Sequence, residues 1–145
     1  MDFKEVLNRK LDTVERPKPL PAGMYRLVVA KFEFGESKEK KTPFCKLLFN
    51  IMGPGDDVDP ASLVGIDYAK RQMKQDFYLT EDALWRFKDF MEKSLGIVIG
   101  QRTFGEIIQH ELVGKQVMGA IVQEPSQRPG DDSIYNNIQS FAAAA

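Results

Sequence analysis

Three strand-like runs, one long helical run, a short helical turn and two more strand-like runs follow one another between Gly23 and Phe141. That order constrains the fold more than any other feature of the chain. Successive strands without intervening helices pair with their neighbours as antiparallel hairpins. Three strands before a helix and two after it therefore predict a small sheet that curls into a barrel to protect its edges.

The first strand is predicted from about Met24 to Phe34, apolar on both faces and bracketed by Gly23 and Gly35. The second, about Pro43 to Met52, alternates: Cys45, Leu47, Phe49 and Ile51 on one side, Phe44, Lys46, Leu48 and Asn50 on the other. Gly53-Pro54-Gly55 ends it. A third strand from about Tyr68 to Leu79 turns Met73, Phe77 and Leu79 inward and Lys70, Gln72, Lys74 and Tyr78 outward. Thr80 is placed to cap a long helix with Leu84, Phe87, Met91 and Leu95 as its buried stripe and Gly96 just past its end. Thr103 and Glu106 have capping-box spacing for a second short helix through about Gln109. Lys115–Gln123 and Ile134 to about Phe141 are the last two strands, separated by a loop holding Pro125, Pro129 and Gly130.

Before this body, residues 1–22 form an arm. Residues 2–11 suit a short amphipathic helix, with Asp2 as N-cap and Phe3, Val6, Leu7 and Leu11 on one face. Pro17, Pro19 and Pro21 then impose an extended linker. The arm is too short to be stable alone, so it packs on the barrel or a second subunit, or it frays.

Charge is segregated. The chain has a net charge of −1, yet residues 23–52 carry six basic and three acidic side chains. In residues 68–79, Lys70, Arg71 and Lys74 stand against Asp76 alone, while Asp56, Asp57, Asp59 and Asp67 fill the loop between. Positive strands beside acidic loops predict one charged face. Phe44, Lys46, Lys70, Lys74 and Tyr78 would converge on that face, giving ammonium groups for phosphates and flat rings for bases. Lys38, Lys40 and Lys41, in the first loop, would clamp the ligand backbone or simply keep a hairpin tip polar. Arg128, in the last loop, is a weaker candidate of the same kind, and Tyr135 either stacks on a base or belongs to the core. Trp85 stands opposite the buried stripe of its helix, where burial by the arm is the favoured reading and a second subunit or another protein the alternatives.

Other chemistries lack their parts. His110 is the only histidine and Cys45 the only cysteine, so a His–Cys metal cluster lacks its parts and a Ser/His/Asp triad its sequence context, and the thiol reads as a small buried apolar group. Asp56, Asp57 and Asp59 lack an EF-hand's glycine and distal glutamate, and no phosphate-cradling glycine loop is present. Neither a cofactor nor a metal is expected, and the chain reads as no enzyme. No apolar run reaches the roughly 18–20 residues that span a bilayer, and no signal peptide opens the chain, so a membrane partner is not expected.

Leu20-Pro21-Ala22-Gly23-Met24-Tyr25, Leu84-Trp85-Arg86-Phe87-Lys88 with Leu95-Gly96, Leu112-Val113-Gly114-Lys115 and Tyr135-Asn136-Asn137-Ile138 complete a pattern. In these stretches and their order, over residues 20–141, the chain resembles the small bacteriophage OB-fold single-stranded DNA-binding proteins. That family includes a group catalogued only as a phage domain of unknown function. The resemblance implies a five-stranded OB barrel over residues 23–145, mainly β, with a long helix between strands three and four. It also implies a ligand lying across strands two and three, at Phe44, Lys46, Lys70, Lys74 and Tyr78. The implied setting is the host-cell cytoplasm, with single-stranded DNA, phage replication or recombination proteins and a homodimer as candidate partners. Many replication-type members end in an acidic tail that recruits other proteins. This chain ends in four alanines, so recruitment by that route is not expected. The competing expectation is an OB-fold adaptor or structural phage protein whose ligand is another protein.

Overall fold

The computed structural model describes residues 3–8 and 18–144, all but the Val6 side chain. Its elements are α1 (Phe3–Asn8), β1 (Gly23–Glu36), β2 (Pro43–Pro54), β3 (Gln72–Tyr78), α2 (Leu84–Asp89), α3 (Phe104–His110), β4 (Gln116–Pro125) and β5 (Ile134–Ala143). The five strands form one antiparallel sheet in the order β3-β2-β1-β4-β5. This is an OB-fold-like arrangement, left open: the two edge strands come within 8 Å (Cα–Cα), and no ladder joins them among the described residues.

Two bulges shape the sheet. Val29 pairs with Phe49 and Lys31 with Leu48, so Ala30 is an extra residue in β1; Met52 is the extra residue in β2. A bulge adds twist and exchanges the faces on which following side chains lie. Before Ala30 the odd residues Tyr25, Leu27 and Val29 are buried; beyond it Phe32 is the residue packed on the core. This exchange is why β1 reads as apolar on both faces.

Across the gap between β3 and β5 lies a cluster of phenylalanines. Phe77 of β3 stacks on Phe87 of α2, with centroids 4.7 Å apart and planes at 12°. Phe90 meets Phe77 at 4.9 Å, Phe141 of β5 at 4.7 Å and Phe49 of β2 at 6.3 Å. Such pairs contribute about 0.5–1.5 kcal/mol each beyond area burial.

The helix between β3 and β4 is shorter than its sequence suggests. Its α-helical part is only Leu84–Asp89, and Phe90–Ser94 continues as one π turn. Thr80 opens a turn through its carbonyl, which accepts from the Ala83 and Leu84 amides, while Ala83 takes the N-cap position with no side-chain bond. Phe90, three residues after Phe87 on the same helical face, joins Phe87 and Met91 in the core, a position the predicted stripe omits. Gly96 ends the element at φ +68°, with the Ile97 amide donating to the Met91 carbonyl. Thr103 caps α3 as predicted, its Oγ1 accepting from the Glu106 amide at 3.2 Å.

Of the predicted arm helix, Phe3–Asn8 is helical; Asp2, Leu11 and Pro17 lie outside the described residues. Phe3 and Leu7 are exposed, so of the readings for the arm, packing of these two side chains on the sheet is not what the described residues show. The linker docks instead. Leu20 is fully buried, its amide donating to Asn136 Oδ1 (2.8 Å) and its carbonyl accepting from Asn136 Nδ2 (3.0 Å) and Gln123 Nε2 (2.8 Å). The Tyr25 hydroxyl donates to the Pro21 carbonyl at 2.7 Å, and burial raises its pKa above 10.0, with Asp57 adding to the effect.

Asn136→Ala strips the buried Leu20 amide of its acceptor and is expected to cost about 1–3 kcal/mol, read by urea denaturation; an unchanged midpoint would show that the clamp carries no stability. Burial pushes the Cys45 thiol from 9.0 up to about 11, with Asp76 contributing. Because the folded state favours the neutral thiol, its contribution to stability is full below pH 9.0 and is lost as pH rises through about 11. Cys45 should therefore resist a thiol reagent at pH 8 in the native protein and react once it is unfolded.

Candidate nucleic-acid interface

The outward face of β2 and β3 is set by their register. Phe44 pairs with Tyr78, Lys46 with Asp76, Leu48 with Lys74 and Asn50 with Gln72. Cys45, Leu47, Phe49, Met73 and Phe77 point to the core, so the period-2 alternation carries these partners to the other side. Gln72 Nε2 donates to Asn50 Oδ1 at 3.2 Å, which ties the far end of this face.

The two rings form a built pair. Phe44 and Tyr78 meet edge to face, centroids 6.3 Å apart at 74°, and Tyr78 is 46% exposed. Lys46 Nζ lies over the Phe44 ring, 5.8 Å from its centroid, a cation–π contact. Gly35 makes the arrangement fit. It pairs with Phe44 across the ladder, and a Cβ there would sit 2.8 Å from Phe44 Cζ.

Lys38 and Lys40 reach the same end of the sheet. Together with Glu39, Ser37, Thr42, Tyr78 and Thr80 they line an open cleft of about 530 Å³ between the β1–β2 loop and the end of β3, in which the Glu39 carboxylate offsets one of the two ammonium charges. Ser37 shapes this loop: its Oγ accepts from the Thr42 amide at 2.9 Å and its carbonyl from the Lys41 amide. Lys41 is exposed and left-handed, φ +52°, and does not line the cleft.

Three positions depart from the expected arrangement. Lys70 is not on a strand: Tyr68–Lys70 is a 3-10 turn, and its Nζ pairs with Asp67 at 3.5 Å. The residue before it explains this, because Asp67 starts the turn and the ladder begins only at Gln72. Asp76, counted in the sequence only as a charge, stands on the outward face opposite Lys46, and its Oδ1 is buried with no hydrogen-bond partner among the described residues. Trp85 is not covered by the described residues of the arm. It is 60% exposed, with the Arg86 guanidinium 5.5 Å from its ring.

Arg128 and Tyr135 come together, though elsewhere. They line a cleft of about 680 Å³ with Glu124, Gln127 and Asn137, which shares no residue with the first. Tyr135 is 50% exposed on β5, so it is not core, and its hydroxyl reaches Asp131 Oδ2 at 3.5 Å. The acidic loop has structural work: Asp57 Oδ1 accepts from the Met24 amide and Asp59 Oδ1 from the Ala61 amide. No group of three or more metal-ligating side chains occurs among the described residues, and no helix among them is long and apolar enough to cross a membrane.

No protein-family model and no curated protein sequence matches the chain, so what the site can do is argued from its own geometry.

Gly35→Ala is expected to swing the Phe44 ring off its seat rather than unfold the sheet, at a rotamer cost of about 0.5–1.5 kcal/mol. Nuclear Overhauser contacts between the Phe44 and Tyr78 rings should weaken; unchanged contacts would show that the glycine is not what seats the ring.

Proposed function

We propose that this is a non-catalytic OB barrel that binds single-stranded DNA with low sequence specificity. The observation that carries the reading is the outward Phe44–Tyr78 pair with Lys46 over one ring and Lys38 and Lys40 beside the other. An unpaired strand offers flat bases and regularly spaced phosphates, and this face offers rings and ammonium groups to both. Lys74 extends the positive face along β3, while Asp76 between Lys74 and Tyr78 disfavours a phosphate at its own position. A site on the order of 4–16 nucleotides is expected, with affinity falling as salt rises. The sequence resemblance adds the setting, protection of phage DNA during replication or recombination in the host cytoplasm.

A second reading, an adaptor that binds another protein, draws on the exposed Trp85 and its stacked Arg86. One titration separates the two. Labelled oligo-dT followed by fluorescence anisotropy should bind at low salt, and Tyr78→Ala should weaken it by about 1–3 kcal/mol. Lys74→Glu should weaken it and flatten the salt dependence, whereas Trp85→Ala should leave it unchanged. Lys46→Glu should weaken it too, but it opposes two carboxylates across the ladder, so its melting temperature is measured alongside. Absence of binding at low salt, or a loss confined to Trp85→Ala, would overturn the DNA reading.

A further inference from the structure

One strand edge is left open inside the sheet. β4 pairs β1 only from Gly23 to Val28, and the last bonds on that side join Val29 to Lys115 and Gly114. The bulge at Ala30 then turns β1 away, so Lys31–Glu36 has β2 on one side and no ladder partner on the other among the described residues. Phe34, in this half-strand, is 58% exposed and touches Phe32 edge to face at 5.6 Å. An exposed edge bearing apolar side chains is a template for pairing with another strand.

We propose that this half of β1 is a homodimer interface, two copies pairing edge to edge and antiparallel about a two-fold axis at Phe32. The charges select both the occupant and the register. A two-fold axis at Phe32 sets Lys31 opposite Glu33 of the second copy and Glu33 opposite its Lys31. Axes at Lys31 or Glu33 place like charges directly opposite each other, and an axis at Phe34 leaves both charges without an opposite partner. Within one chain Lys31 Nζ already lies 3.6 Å from Glu33 Oε1, both side chains more than half exposed, so pairing extends that ion pair into a ladder of alternating sign. The pairing would extend the sheet as β2-β1-β1-β2 across the axis. The strand edge from Ala30 to Phe34 alone is smaller than a standard interface of about 1,200–2,000 Å², and dissociation on dilution is expected.

Light scattering on the full chain over a concentration series tests the proposal. Wild type should approach twice the 16.5 kDa chain mass as concentration rises. K31E alone and E33K alone should return it to the monomer mass, and K31E combined with E33K should restore the dimer, since the swap rebuilds both cross-strand pairs. Circular dichroism confirms that each variant is folded. Independently, Lys31→Cys mixed with Glu33→Cys should form a disulfide-linked dimer on mild oxidation faster than either alone. Directly opposed Cα atoms lie about 4.5–5.5 Å apart, within disulfide reach. A wild type that stays monomeric at every concentration, a dimer that survives K31E, a folded double variant that stays monomeric, or a mixture that cross-links no faster than its components would each overturn the proposal.

Discussion

The phenylalanine cluster between β3 and β5 is what the rest of the molecule depends on. The edge strands are not joined by a ladder, so Phe77, Phe90 and Phe141 bridge them through side chains, backed by Phe49 and Phe87. Hydrogen-bonded closure would fix the edges by backbone geometry alone. Here the gap is bridged by rings from the two edge strands and from the helical segment between β3 and β4. The short helix is thus part of the wall.

That closure positions the candidate interface. β3 is anchored through Phe77, and the strand pleat then obliges Tyr78, the next residue, to face solvent opposite Phe44. Gly35 lets the Phe44 ring lie down on β1, and the Ser37 bonds fold the loop so that Lys38 and Lys40 share a cleft with Tyr78. The lysines of this face are offset by carboxylates, Asp76 and Glu33 opposite Lys46 and Glu39 in the cleft. Binding energy would therefore concentrate at the aromatic end.

Much of this was legible in the chain. The alternation from Pro43 to Met52 predicted which side of β2 each residue occupies, and Thr103 with Glu106 marked the start of α3. Lys70 was misplaced because the pattern from Tyr68 onward continues evenly into β3, although Asp67 begins a turn there. What covers Trp85 and α1 was not legible for a shared reason: amphipathic spacing says which face of a short helix is apolar, but not whether anything covers it.

What the sequence determined by itself was local: the order of elements, the inward and outward sides of β2 and β3, the α3 cap and the Gly96 stop. These depend on neighbours a few residues apart, whose spacing is written in the chain. Tertiary structure alone decided the face exchange at Ala30, the π turn at Phe90, the amide clamp on Leu20 and the placing of Arg128 and Tyr135 in a cleft of their own. Each of these is set by residues distant along the chain, where the geometry of the folded sheet overrides what local periodicity prefers.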